Sequence, residues 1–254
     1  MPATVQLLRD SYPDEPALDT AALHRAVLEG VAAGRLGPCL RLHWPGPVLA
    51  FSRQDRAADG YDAAVAEAVR HGYAPVQRLP GGRAAVFHEE TLSLALTEPD
   101  NDARLHIHER FSELAEVVTE ALRTLGIDAR VGQVPDEYGP GRWSLNARGE
   151  TKLVGIGQRI ISGAAHTGAV LVAGGADRIR DVLIPVYEAL ELEFAPATVG
   201  SVGDEGAPAT PRAVEDAVLG AFEGRLSLTE GTVDPATLAR GRELAAAHQI
   251  PGRA

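Results

Sequence analysis

Three scarcities mark this chain of 254 residues, and each narrows what it can be. Cysteine occurs once, at Cys39. That leaves no partner for an intramolecular disulfide and excludes an all-cysteine metal site. Basic residues are few: 24 Lys and Arg against 35 Asp and Glu give a net charge of −11. Such a balance argues against a general nucleic-acid binder and against attachment to an anionic membrane. No apolar run approaches the roughly 20 residues needed to span a bilayer. The opening MPATVQLLRDSYPDEP lacks a basic stretch followed by an apolar one, so it does not resemble a secretory signal. These absences lead us to expect a cytoplasmic protein. The remaining composition, 45% hydrophobic and 23% charged, is that of an ordinary globular chain.

The third scarcity is the sharpest. Lys152 is the one lysine among the 24 basic residues, the rest being arginine. Arginine spreads its charge over a planar fork, whereas lysine supplies a compact, rotatable point charge. A lysine retained alone in such a chain is a candidate for a position that only an ammonium fills. Chance survival is the competing explanation, and the neighbouring residues must decide between them.

Apolar spacing predicts helices over Leu18–Ala33, Tyr61–Arg70 and Ile107–Leu125, stopped by Gly34, Gly72 and Gly126. Asp19 or Thr20 is the expected cap of the first. CLRLHWP and PVLAFSRQ alternate as strands on either side of Pro45-Gly46-Pro47, and Ala74–Arg78 is extended. Ala85–Phe87 and Thr91–Thr97 read as paired strands around a turn at His88-Glu89-Glu90. A turn-rich stretch, Val134–Arg142, precedes a strand at Trp143–Asn146. A turn then leads into a strand opening with Lys152, and Gly168–Ala173 reads as another. Asp177–Glu188 is helical in pattern, with Pro185 expected to break or bend it. Residues 200–212 have linker composition, and helical patterns follow near 212–222 and 235–248. We therefore expect an α+β fold with a mixed, largely antiparallel sheet flanked by helices. The expected division is a main domain over 1–199, a linker over 200–212 and a short helical C-terminal segment over 213–254.

Two segments carry candidate chemistry. In Arg78-Leu79-Pro80-Gly81-Gly82-Arg83-Ala84-Ala85-Val86-Phe87-His88, a strand runs into paired glycines, and the backbone there can approach a ligand closely. Arg78 and Arg83 flank the glycines and could clamp a carboxylate or phosphate; a plain hairpin is the simpler explanation of the glycines alone. The second segment is Thr151-Lys152-Leu153-Val154-Gly155-Ile156-Gly157-Gln158-Arg159. Strand alternation puts Lys152 and Val154 on one face and Leu153 on the other. An ammonium there could neutralise a phosphate or stabilise charge developing on an acyl oxygen.

Other residues are weaker candidates. His106 and His108 lack a third ligand, and no residue is assigned to a metal. No Gly-x-Ser-x-Gly elbow and no Walker loop is present. Cys39 sits in an alternating apolar strand, as small buried cysteines usually do.

Taken in order, these segments resemble the biotin/lipoate protein ligase superfamily, in its lipoate–protein ligase A and octanoyltransferase branch. The resemblance rests on RLPGGRAAVFH followed by TLSLAL, then KLVGIGQ, then Ala165-His166-Thr167-Gly168-Ala169-Val170-Leu171. Leu49-Ala50-Phe51-Ser52-Arg53-Gln54 adds a segment similar to the family's Gly-Arg-x-Gln, with Ser52 at the glycine. It covers about residues 15–195. It implies a class II synthetase-like fold and the attachment of a lipoyl or octanoyl group to a lysine of a lipoyl carrier domain. By motif position, Lys152 would hold the acyl carbonyl. Arg78, Gly81, Gly82, Arg83, His88, Gly155, Gln158, His166 and Gly168 would form the acyl and nucleotide site.

Family transferases that form a thioester carry a cysteine shortly before the lysine strand; residues 137–143 here read EYGPGRW, without one. An ATP-derived acyl-adenylate needs no such nucleophile. The resemblance then implies ATP with magnesium, and lipoate or octanoate, as substrates. With few residues after Gly200, a separate accessory chain could supply what many ligases carry at their C-terminus. Octanoyl transfer from acyl carrier protein and non-catalytic binding of an acyl group or carrier domain stay open as alternatives.

Overall fold

The computed structural model describes residues 4–251. Its strands are β1 (Thr4–Leu8), β2 (Cys39–His43), β3 (Val48–Phe51), β4 (Ala74–Gln77), β5 (Ala85–Phe87), β6 (Thr91–Asp100), β7 (Ala129–Val131), β8 (Leu145–Ala147), β9 (Thr151–Ile161), β10 (Gly163–Val172) and β11 (Ser227–Gly231). Its helices are α1 (Leu23–Ala32), α2 (Arg53–Arg56), α3 (Tyr61–Arg70), α4 (Ile107–Thr124), α5 (Ala176–Ala189), α6 (Pro211–Glu223) and α7 (Pro235–His248).

Eight strands form one mixed sheet in the order β11-β1-β2-β6-β10-β9-β8-β7. β11, β1 and β2 run parallel, and every later pairing is antiparallel. β4, β3 and β5 form a second, three-stranded sheet. The α+β expectation holds.

Alternation along the central strands separates two faces. Leu40, Leu42, Leu92, Leu94, Ala169 and Leu171 pack with Leu114, Val118, Leu122, Val214, Val218 and Phe222 of α4 and α6. The opposite residues, Cys39, Ala164 and Val170, meet α1 and the small sheet. With both faces covered, all five residues of β2 are buried, Arg41 and His43 included. At the C-terminal end, β11 pairs with β1, and Leu244 of α7 joins Leu18, Leu23 and Ala26 in a small core.

Four local expectations need correction. The first helix begins ahead of Leu18 with a π-helical turn at Leu18–Ala22, so neither Asp19 nor Thr20 caps it. Asp19 is instead fully buried, because it answers Arg41 of β2. The PVLAFSRQ strand stops at Phe51, where Ser52 caps α2 in a reciprocal capping box with Asp55. β5 and β6 do not pair with each other: β5 joins β3, while β6 lies between β2 and β10. The turn between them, closed by Thr91 N–H to His88 O at 2.8 Å, passes the chain from one sheet to the other. Finally, Pro185 lies inside α5 without ending it. Ile179, Val182, Leu183, Val186 and Tyr187 bury the helix on both sides of the proline and outweigh the missing hydrogen bond.

Candidate active site

The lysine sits where a strand irregularity re-aims it. β8 pairs Leu145 with Val154 but Asn146 with Lys152, so Leu153 is an extra residue, a β-bulge. Leu153 and Val154 both enter the main core. A Cβ built on Gly155 would lie 3.6 Å from Lys152 Cε, so the lysine stem runs over Gly155. Simple alternation, with Lys152 beside Val154, therefore misplaces it.

Lys152 is 3% exposed, and its ammonium is fully engaged. Nζ donates to Gly139 O at 2.7 Å, Tyr138 O at 2.9 Å and Glu137 Oε1 at 3.1 Å. It also lies 4.8 Å from the Tyr138 ring centroid. Glu137 is held by the loop that supplies it, accepting from Val134 N–H at 3.0 Å, Gly141 N–H at 3.2 Å and the Ser144 hydroxyl at 2.5 Å. Burial pulls the Lys152 pKa below the ordinary lysine value, while Glu137 opposes that shift. A buried ammonium on a flexible stem, held by a carboxylate and two carbonyls, can exchange one carbonyl for a ligand oxygen.

The glycine loop abuts this lysine loop. A Cβ on Gly139 would be 3.9 Å from Arg83 Cβ, so Arg83 lies beside the residue whose carbonyl accepts a hydrogen bond from the lysine. Arg83 Nη1 reaches Asp55 Oδ1 at 3.5 Å, which ties the loop to the cap of α2. Arg78 donates from Nη1 to Arg83 O across the loop. Gly82 has φ +99°, a conformation that only glycine adopts without strain. Gly81 has open space around it.

Pro80 and Arg78 cover Gly157 of β9. A Cβ there would meet Pro80 Cβ at 3.0 Å and Arg78 Nη2 at 3.1 Å. Across the sheet Gly157 pairs with Gly168, and Gly168 with Ala95. These three form a row nearly free of side chains on the face turned to α1 and the small sheet. Gly157→Val is expected to push the 78–83 loop off β9 and weaken acyl-ligand binding at least about tenfold with the fold retained. Unchanged ligand affinity by calorimetry would remove the trough from the site.

Beside this row, His166 donates to or accepts from Thr97 Oγ1 through Nδ1 at 3.0 Å. Its ring is 5.0 Å from that of His24, which is in turn 5.5 Å from His43. Arg41 donates to Asp19 Oδ1 and, at 2.6 Å, to Asp19 O. Burial first and the Arg41 charge second depress all three histidines, His166 to about 4. His166 therefore reaches the trough as a neutral ring.

Two expected site residues point elsewhere. Gln158 lies on the opposite face of β9, where Nε2 donates to Thr167 Oγ1 at 2.9 Å and Oε1 accepts from Arg110 at 3.3 Å. Strand alternation required this once Gly155 and Gly157 faced the trough. His88 is fully buried beside Gly175, and its Nδ1 accepts from Glu90 N–H at 3.2 Å. Burial also lowers its pKa to about 4.

For His88 and His166, both folded-state values lie below the unfolded value of 6.5, so only the unfolded chain takes up these protons as pH falls. Stability is complete above pH 6.5 and declines towards pH 4, by roughly 3 kcal/mol for each histidine. Melting temperatures recorded from pH 7.5 to 4.5 should fall below pH 6.5; a flat profile would contradict neutral burial.

Sequence reasoning missed Glu137, Tyr138 and the Asp19–Arg41 pair. Arg41 between Leu40 and Leu42 in a strand, and Asp19 among helical apolar positions, were the available signals. Nothing local marks Glu137 as the lysine's partner. Among the described residues, no group of three or more His, Cys, Asp or Glu is placed to hold a metal ion, and no helix is long and apolar enough to cross a membrane.

Residues 16–223 match the family described as the lipoyl protein ligase A/B catalytic domain. The chain belongs to that family. An octanoyl-[GcvH]:protein N-octanoyltransferase of an Exiguobacterium species is 27% identical over 190 residues, covering 70% of this chain and 65% of that protein. Its counterpart from Exiguobacterium sibiricum is 26% identical over 178 residues, covering 66% and 63%. The chain thus spans somewhat less than two thirds of the length of these relatives. The fold is also that of a T. acidophilum protein described as a lipoate protein ligase and solved with bound lipoic acid, with TM-score 0.74 and 20% identity over 97% of this chain and 96% of that one. A lipoate-protein ligase A bound with ATP gives TM-score 0.74 at 20% identity, covering 96% and 94%.

Proposed function

We propose that the protein attaches a lipoyl group to a lysine of a lipoyl carrier domain through an ATP-derived acyl-adenylate. The observation that carries this reading is the single lysine of the chain, buried against the glycine loop with its ammonium on exchangeable carbonyls. In the first step a lipoate carboxylate oxygen attacks the α-phosphorus of ATP and pyrophosphate leaves. In the second the neutral amine of the carrier lysine attacks the acyl carbon, AMP departs with the bonding pair, and the amine loses a proton.

Lys152 contributes its ammonium to the acyl oxygen, exchanging a contact with Tyr138 O or Gly139 O for it. Its charge is worth most in this dry setting, where water does not screen it. Glu137 keeps the nitrogen on station throughout. Gly155, Gly157 and Gly168 let the lysine stem, the glycine loop and the His166 ring lie close against the sheet, where they border the acyl chain. Arg78, Gly81, Gly82 and Arg83 wall the other side and offer donors to the nucleotide. Magnesium enters with ATP as substrate. A bi-partite lipoate protein ligase of the same fold, described together with its E2 lipoyl domain, supports a lipoyl carrier domain as acceptor.

A second reading is octanoyl transfer from a carrier protein without nucleotide: the two Exiguobacterium relatives are named octanoyltransferases, with octanoyl-[GcvH] rather than acyl carrier protein as the named donor. The thioester form of that reaction needs an accessible thiolate. Cys39 is buried, its Sγ rests on Gly37 O at 3.3 Å, and burial raises its pKa to about 11. Pyrophosphate release decides between the two. The ligase reading expects release that requires both lipoate and MgATP; transfer from octanoyl carrier protein without nucleotide, and no pyrophosphate, would overturn it.

A further inference from the structure

Arg78 also borders a cavity of about 400 Å³ between α1, α2, β9 and the end of α7. Its volume falls within the roughly 300–1,000 Å³ usual for small-molecule sites. Five arginines line it: Arg25, Arg53, Arg56, Arg78 and Arg159. They come from four separate segments, so the convergence is a property of the fold rather than of one basic stretch.

The lining contains one carboxylate, Glu29, which is already taken. It accepts from Arg25 Nε at 3.1 Å and from Arg240 Nε at 3.0 Å. Arg78 spends one nitrogen on Arg83 O and reaches no carboxylate. Among the described residues, the side chains of Arg53 and Arg159 make neither a hydrogen bond nor an ion pair. His248, also in the lining, is 5% exposed. Its Nδ1 meets Gln77 O at 2.7 Å, while its Nε2 is buried without a partner.

Carboxylates outnumber basic residues 35 to 24 in this chain, so counter-charges are plentiful elsewhere. Gathering arginines here without them costs repulsion that a bound anion would relieve. Guanidinium forks match the geometry of phosphate oxygens and bind them bidentately.

We propose that this cavity is a phosphate-binding site for an acyl-transfer substrate, seating a phosphate ester while the rest of the molecule extends past Arg78 towards Gly157. The choice of a phosphate-bearing substrate rests on the acyl-transfer reading above; anion binding itself rests on the cavity. Two molecules carry that chemistry, the nucleotide and a phosphopantetheine arm bearing an acyl group.

The test is calorimetric titration of the full chain with ATP, with phosphopantetheine and with pyrophosphate, at about 50 and 200 mM salt. Wild type is compared with the double variant Arg53→Gln/Arg56→Gln, whose exposed side chains on α2 can be changed without touching the core, and with Lys152→Met. At least one probe is expected to bind wild type, to weaken about tenfold or more in the arginine variant, to weaken with salt, and to be nearly unaffected in Lys152→Met. If that probe is phosphopantetheine, the arm is the source; if ATP alone behaves so, the nucleotide is. Failure of every probe to bind, or equal binding to wild type and the arginine variant, overturns the proposal. Anion binding with no acylation would instead sink the acyl-transfer reading and leave the cavity site standing.

Discussion

Lys152→Ala should abolish detectable acylation and also lower the unfolding free energy by about 3 kcal/mol. The stability loss arises because Glu137 is left buried without its cation, and breaking a buried pair from one side typically costs roughly 3–5 kcal/mol. The lower figure applies here because Val134 N–H, Gly141 N–H and the Ser144 hydroxyl still support the carboxylate. The chemical loss is expected to be about 100-fold or more, the usual result of removing a charge aimed at a developing oxyanion. The double variant Lys152→Met/Glu137→Gln separates the two effects. With no ion left to bury, it should recover most of the stability seen in urea titrations while acylation stays lost. Recovery of activity together with stability would reduce Lys152 to a structural strut.

Arg41→Met has the largest expected effect on folding, a loss of about 3–5 kcal/mol at pH 7.5. Asp19 would remain buried beneath α1 and β2, without the guanidinium that reaches both its carboxylate and its carbonyl oxygen. The neutral histidines nearby cannot replace that charge at this pH. His43 Nε2 lies 3.8 Å from Asp19 Oδ1, so with Arg41 gone it can take up a proton as the solution is acidified. That raises the variant's folded-state His43 pKa, and a raised value contributes stability below it. The penalty should therefore shrink towards pH 5.5, opposite to the trend expected for wild type. Denaturant titrations at the two pH values test this; a penalty below 1 kcal/mol, or one that grows on acidification, would contradict the buried pair.

The legible part of the structure was the part governed by local periodicity. α3 has the predicted bounds Tyr61–Arg70, and α4 ends within one residue of the Ile107–Leu125 expectation, because a one-sided apolar stripe and a terminal glycine specify each locally. The glycine loop and the lysine strand were legible because glycine and lone-lysine usage is visible residue by residue. Partnerships across the fold were not. Local pattern cannot tell that β5 and β6, three residues apart, belong to different sheets. The Glu137–Lys152 pair spans a loop whose turn-rich composition conceals a buried carboxylate. Misplacement of Lys152 beside Val154 came from one unpaired residue, Leu153, since a bulge shifts every later side chain by one face. Gln158 shares its motif with the lysine but lies on the other face, a reminder that residues close in a motif need not meet in space.

Mass spectrometry of a purified lipoyl carrier domain, after incubation with lipoate, MgATP and either wild type or Lys152→Arg, puts the ammonium itself on trial. Arginine keeps the positive charge but replaces a compact, rotatable donor with a rigid fork. The wild-type chain should add one lipoyl group per carrier, and the folded arginine variant should add none. A carrier fully modified by Lys152→Arg would contradict the role assigned to that single nitrogen.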